Sequence, residues 1–270
     1  MRSLLGLPFM THAFAAGSLA AIVAAVSGFF LISRGLTFAG HALPNIGFAG
    51  AAGAVLLGIE PVYGLFAFTL AAGAAVGLIG KDIRERDISI GVAMTFALGL
   101  GLLFIALYSG YAQRIYGVLF GNILGISARA ITVTAVASIL ILAVMAFLYR
   151  PLLFSTFDQH AAEARGVPVR LLSVVFMAVV AITVSLSIQV MGALLVFTLL
   201  VGPAAAATRL VRGSFSAIIL SIGLGLAYTW SGILLAAASG KLPASFCIAT
   251  LSFLVYLPVR LLSRNGPEAV

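Results

Sequence analysis

Charge is what this chain has least of. Only 8% of its 270 residues are Asp, Glu, Lys or Arg, against roughly 25% in a soluble domain. With 63% hydrophobic residues and a mean hydropathy of +1.23, no water-facing fold could cover its apolar surface, and the chain belongs in a bilayer. Cysteine is nearly absent as well. Cys247 stands alone, which excludes an internal disulfide and a four-thiolate metal site. The seven acids (Glu60, Asp82, Glu85, Asp87, Asp158, Glu163 and Glu268) all fall at segment ends or in loops, so the apolar runs lack the buried carboxylates with which ion-driven carriers bind their coupling ions. The phosphate loop G-x-x-x-x-G-K-S/T is missing. Its nearest approach is Gly80-Lys81, where position 75 is alanine and Asp82 stands in place of the hydroxyl residue. There is no H-E-x-x-H pair, which removes an intramembrane zinc protease of that kind. His12, His41 and His160 are the only histidines, and none has an obvious nucleophile one turn away. The net charge of +8 is scattered between apolar segments, which is the pattern of membrane orientation and not of a nucleic-acid footprint.

What is there is a succession of apolar runs. Runs of spanning length fall at about 13–33, 38–59, 61–80, 88–108, 129–149, 170–190, 192–208, 214–238 and 243–263. Arg2 followed by Ala13-Phe14-Ala15 imitates a signal peptide, but the apolar run continues past it, so it reads as the first membrane helix. The seventh run is short and rich in glycine and alanine; nine helices are expected, or eight if that run is broken. Eleven Lys/Arg (Arg34, Lys81, Arg84, Arg86, Arg150, Arg165, Arg170, Arg209, Arg212, Arg260, Arg264) fall in one alternating set of breaks, and four (Arg2, Arg114, Arg129, Lys241) in the other. The positive-inside rule makes the first set cytoplasmic, the N-terminus external and the C-terminus internal. The expected fold is an all-α, multi-pass helix bundle, one membrane domain over residues 1–270. The 29 glycines, as in 47–58 and 73–80, sit at spacings of three and four that let helix backbones approach closely.

The longest cytoplasmic break, RPLLFSTFDQHAAEARGVPVR (150–170), has internal order. Asp158 suits an N-terminal cap, Gly166 a C-terminal stop, and Pro168 forbids continuation. A short surface helix between two spans is expected, either plain or docking on a partner. This loop, followed by GALLVFTLLVGPAAAATRL (192–210), resembles the permease subunits of the ABC importers for zinc, manganese and iron, whose loop reads F-D-x-x-x-A-x-x-x-G-V. The stretch FFLISRGLTFAGHALPNIGFAG (29–50) is similar to that family's R-G-x-x-x-x-G-D-A-L-S-H-x-x-x-x-G, and LFGNIL (119–124) to its L-F-G-D-I-L. The resemblance runs from about residue 29 to about 260.

That resemblance implies a permease homodimer in a prokaryotic inner (cytoplasmic) membrane, in contact with lipid. It implies a pair of cytoplasmic ATPase subunits on the coupling loops and an extracytoplasmic metal-binding protein that delivers the cargo. Asp158, Glu163 and Gly166 then belong to the coupling helix. ATP is hydrolysed on the partner chain, the permease is not an enzyme, and no cofactor is held permanently. The cargo is a divalent metal, zinc first, then manganese or iron. A self-contained secondary carrier for a small solute is the rival reading, and a membrane assembly protein without transport is the third.

The chain departs from the family in the first motif. The family's Asp is His41, its Ser is Pro44 and its His is Asn45. Positions 41 and 45 share one helical face, which the resemblance places toward the translocation path. One imidazole remains, Asn45 offers an amide oxygen, and Pro44 frees a backbone carbonyl near Gly40. The plain alternative is that His41 and Asn45 tie two helices together. Gln189, Met191, Cys247 and His12 are weaker path candidates.

Overall fold

The computed structural model describes residues 8–79, 83–108, 117–119, 121 and 125–262. Among these there are ten helices and no strand: α1 (Pro8–Ser33), α2 (Thr37–Leu56), α3 (Pro61–Leu78), α4 (Ile83–Leu107), α5 (Ala128–Phe157), α6 (Gln159–Ala164), α7 (Val169–Met191), α8 (Ala193–Leu210), α9 (Ser214–Ser239) and α10 (Ala244–Leu262). In hydrocarbon a helix satisfies its own backbone polar groups, and the lack of turn residues within most apolar runs lets each run continue as one helix. Seven helices are long and apolar enough to cross a membrane. The other two long helices are α2, diluted by His41 and Asn45, and α8, whose apolar stretch is the short Leu195–Leu210. The seventh run is thus one continuous helix, with Pro203 inside it.

Long helices run up and down in alternation. The ends of α1, α3 and α5 and the starts of α4 and α7 line one cavity, together with the α1–α2 turn. The end of α8 and the start of α9 border a neighbouring cavity at the same end. At the other end Met10 and Ala13 of α1 cluster with Ile233 of α9. Arg34, Arg86, Arg170 and Arg212, all in the basic set of breaks, therefore gather at one end of the bundle. Arg2, Lys81, Arg114 and Arg264 lie outside the described residues.

The centre is built on α1 and α7. In the apolar window of α1, 72% of residues are buried, against 17% for α4 and for α10. Only helices sheltered on all sides bury that share; the outer ones present leucine, isoleucine and phenylalanine outward. Phe30 is fully buried and meets Phe29, Tyr149 and Phe176 edge-on at 5.1, 6.0 and 6.2 Å between centroids. Two pairs of buried hydroxyls meet between helices, Ser27 with Thr183 at 3.2 Å and Thr69 with Ser185 at 2.7 Å.

Glycine sets two of the closest approaches. A Cβ on Gly28 would overlap the Leu200 carbonyl oxygen, and Cβ atoms on Gly50 and Gly64 would each overlap the other's carbonyl oxygen. These contacts lock α1 to α8 and α2 to α3, the latter being the helix pair that fixes where His41 points.

Candidate translocation path and coupling face

His41 lies in the second turn of α2, and its side chain is exposed. Its ring meets the edge of Phe197 on α8 at 5.0 Å and is tilted against Phe38 at 6.5 Å. The aromatic neighbours fix the ring plane while leaving the imidazole accessible. One turn on, Asn45 is half-buried; its Nδ2 donates to the His41 backbone carbonyl at 2.9 Å and lies 3.6 Å from the Met94 sulfur on α4. Pro44 is buried within α2. Its ring nitrogen has no hydrogen to give the carbonyl of Gly40, while the Asn45 amide supports the next carbonyl along. Sequence spacing placed 41 and 45 on one face; it carried no signal for Phe197 or Met94, which arrive from other helices.

Among the described residues no three of His, Cys, Asp and Glu are grouped as a metal site. The polar side chains that α2 itself brings to this face are the His41 imidazole and the Asn45 amide. The weaker candidates are elsewhere. Gln189 donates to the Ser185 carbonyl at 3.3 Å, Met191 and Cys247 are buried, and His12 Nδ1 donates to the Ile126 carbonyl at 3.1 Å. Of LFGNIL, Leu119 and Gly121 are described and positions 120 and 122–124 lie outside the described residues. Gly121 has φ +72°, and a Cβ on it would overlap the backbone at Met191 and Gly192, so the chain at Gly121 lies directly against the α7–α8 turn.

The short helix α6 forms where the loop signals put it. Asp158 is its N-cap, with Oδ1 accepting from the Ala161 amide at 2.8 Å. Gly166 follows it at φ +82°, a conformation an L side chain rarely adopts. The Val167 amide bonds back to the Ala162 carbonyl at 3.0 Å. Ala162 is buried, Glu163 is exposed, and Gln159 donates to Glu163 at 3.5 Å. The helix is thus fixed from beneath and open above.

Behind α6 sits a pair of arginines, Arg34 and Arg86. Arg34 donates to the hydroxyls of Ser155 on α5 (2.8 Å) and Ser173 on α7 (2.9 Å), with its guanidinium 5.8 Å from the Phe176 ring centroid. Burial, and then the charge of Arg86, pulls its pKa below the ordinary arginine value. Arg86 donates to the Gly35 carbonyl at 2.6 Å. The turn that leads into α2 is therefore bonded to the last turn of α5, a helix that takes in residues 150–157 of the expected loop and ends at Phe157, next to the Asp158 cap of α6.

The fold has counterparts of known kind. The model of the ABC 3 transport family matches residues 6–263. The chain belongs to that family. ABC 3 relatives include the manganese transport system membrane protein MntC of Halalkalibacterium halodurans, 30% identical over 210 residues, covering 77% of this chain and 72% of the relative. The manganese import system permease protein ScaB of Streptococcus parasanguinis is 28% identical over 250 residues, covering 92% of this chain and 89% of ScaB. Among solved structures, PsaBC from Streptococcus pneumoniae in complex with Fab superposes with a TM-score of 0.85 at 26% identity, covering 99% of this chain and 95% of that one. As an ABC 3 member this chain is a multi-pass membrane protein, the permease subunit of an ABC transporter and not itself an enzyme.

Proposed function

We propose that this chain is the permease of an importer for a divalent transition metal, driven by ATP hydrolysis on a separate subunit. The observation that carries the reading is the family match over residues 6–263 together with relatives named as manganese transport proteins. The permease works as a homodimer, receives the cation from an extracytoplasmic binding protein and passes it along the face of α2 that carries His41 and Asn45. The ATPase pair docks on the loop at 150–170, with Asp158 and Gly166 shaping α6 and Glu163 facing the partner. By the positive-inside rule, the end that collects Arg34, Arg86, Arg170 and Arg212 is cytoplasmic.

Two metals are favoured for different reasons. The relatives' names favour manganese. The local ligand chemistry favours zinc, because His41 supplies an imidazole where the resemblance expects a carboxylate, and imidazole suits zinc better than it suits harder manganese. Proteoliposomes holding the permease, its ATPase and the binding protein should accumulate zinc, manganese or iron only when ATP is supplied, and a three-way competition ranks the metals. Glu163→Arg should lower uptake and ATP hydrolysis together while the permease still inserts. Metal uptake at the same rate without ATP would instead establish the secondary carrier.

A further inference from the structure

We propose that the cavity behind α6 binds a phosphate-type oxyanion, gripped by Arg34 and Arg86. The cavity has a volume of about 790 Å³ and lies between the α1–α2 turn, the start of α4 and the α5–α7 connection. Its described lining carries three arginines (Arg34, Arg86 and Arg170) and one acid, Glu163. The two inner arginines are held in place by neutral partners. Arg34 is fixed by two serine hydroxyls, and Arg86 by the Gly35 carbonyl. These bonds orient both cations without cancelling their charge, and they bring like charges side by side, because Arg86 binds the residue next to Arg34.

Arg86 is only 9% exposed. Its Nε is buried with no hydrogen-bond partner among the described residues. Asp87 Oδ1 forms an ion pair with it at 3.9 Å, beyond hydrogen-bond distance. Among the described residues, that ion pair and the single acid of the lining, Glu163, stand against three arginines, so the cavity keeps an excess of positive charge. An oxyanion answers that excess, since the planar guanidinium fork matches the oxygens of phosphate two at a time. The space exceeds what one free ion needs, and basic pockets between membrane helices at the cytoplasmic end are places where lipid headgroups bind. The shared chemistry is a phosphate group, carried by an anionic phospholipid or free in solution.

The full-length permease, purified in detergent and stripped of lipid, supplies the test. One arm measures binding of labelled orthophosphate and pyrophosphate. The other uses native mass spectrometry to compare retention of phosphatidylglycerol with that of phosphatidylcholine. Binding in the first arm identifies a soluble phosphate; selective retention in the second alone identifies a lipid headgroup. Arg34→Gln and Arg86→Gln should each weaken binding by about tenfold or more, the loss expected when a charged hydrogen bond is removed. Arg212→Gln, at the neighbouring cavity, should leave it unchanged. Arg86→Lys keeps a cation and guards against a variant that merely misfolds; it should bind between wild type and Arg86→Gln while melting as wild type does. The proposal is overturned if neither phosphate nor phosphatidylglycerol binds, or if binding survives in both glutamine variants. It is equally overturned if those variants lose only ATPase association, which would assign the arginines to carboxylates of the partner protein. No arm depends on transport, so the result stands apart from whichever metal is carried.

Discussion

At the residue scale the decisive position is His41. It is exposed, its ring is braced by Phe38 and Phe197, and the neighbouring Asn45 amide is engaged with the helix backbone. If the imidazole contacts the passing cation, His41→Ala should slow metal uptake by on the order of tenfold or more, at least the loss that follows removal of a residue supporting a metal ligand. Assembly and ATPase docking should be unchanged. His41→Asp should retain transport and move preference toward harder manganese. Normal uptake in the alanine variant, with identical metal preference in the aspartate variant, would return His41 to a packing role. Asp158 makes a second residue-scale case. Its carboxylate caps α6 at 2.8 Å, so Asp158→Ala should cost the local structure about 0.5–2 kcal/mol. Faster amide exchange confined to residues 159–164, with helices α1 and α7 unaffected, is the expected reading.

At the scale of elements, glycine decides how closely helices meet. Gly50 and Gly64 face each other across α2 and α3 with no room for a side chain. Gly64→Leu should destabilise the solubilised protein by about 1–3 kcal/mol or more, as overpacking does. Gly99→Ala on α4, where nothing lies within 4 Å of an added Cβ, should leave the melting temperature unchanged or slightly raised. Equal melting of both variants would mean that the α2–α3 approach is not rigid. The same scale explains α2 itself. It carries His41, Pro44 and Asn45 and fails the apolarity of a free-standing span, yet most of it is buried, because α3, α4 and α8 shelter the polar positions from lipid.

At the scale of the whole molecule, alternation and charge together predict an external N-terminus and a cytoplasmic C-terminus. Cys247 is the one cysteine and is buried, so the native chain is a quiet background for labelling. A cysteine placed at Ser3 should react with an impermeant maleimide from outside intact cells, and one at Asn265 only after permeabilisation. Labelling of both from one side would overturn the nine-span alternation.

The sequence by itself determined the solvent this protein lives in, the nine apolar segments, the capped helix at 158–166 and the family. Each is a local property: run length, residue order, a cap three residues from its partner, a motif in register. Periodicity could also place His41 and Asn45 on one helical face, since that face is set by the spacing of four. Only the tertiary structure decided what surrounds them. Phe197 reaches His41 and Met94 reaches Asn45 from helices far along the chain, and helix packing in a bilayer follows shape and close backbone approach, with no contrast in hydropathy to mark the contact face. Arg34 and Arg86 show the same divide. As letters they count toward membrane orientation; as a pair of neighbouring cations in one cavity they exist only because the turn into α2 folds against α4, α5 and α7.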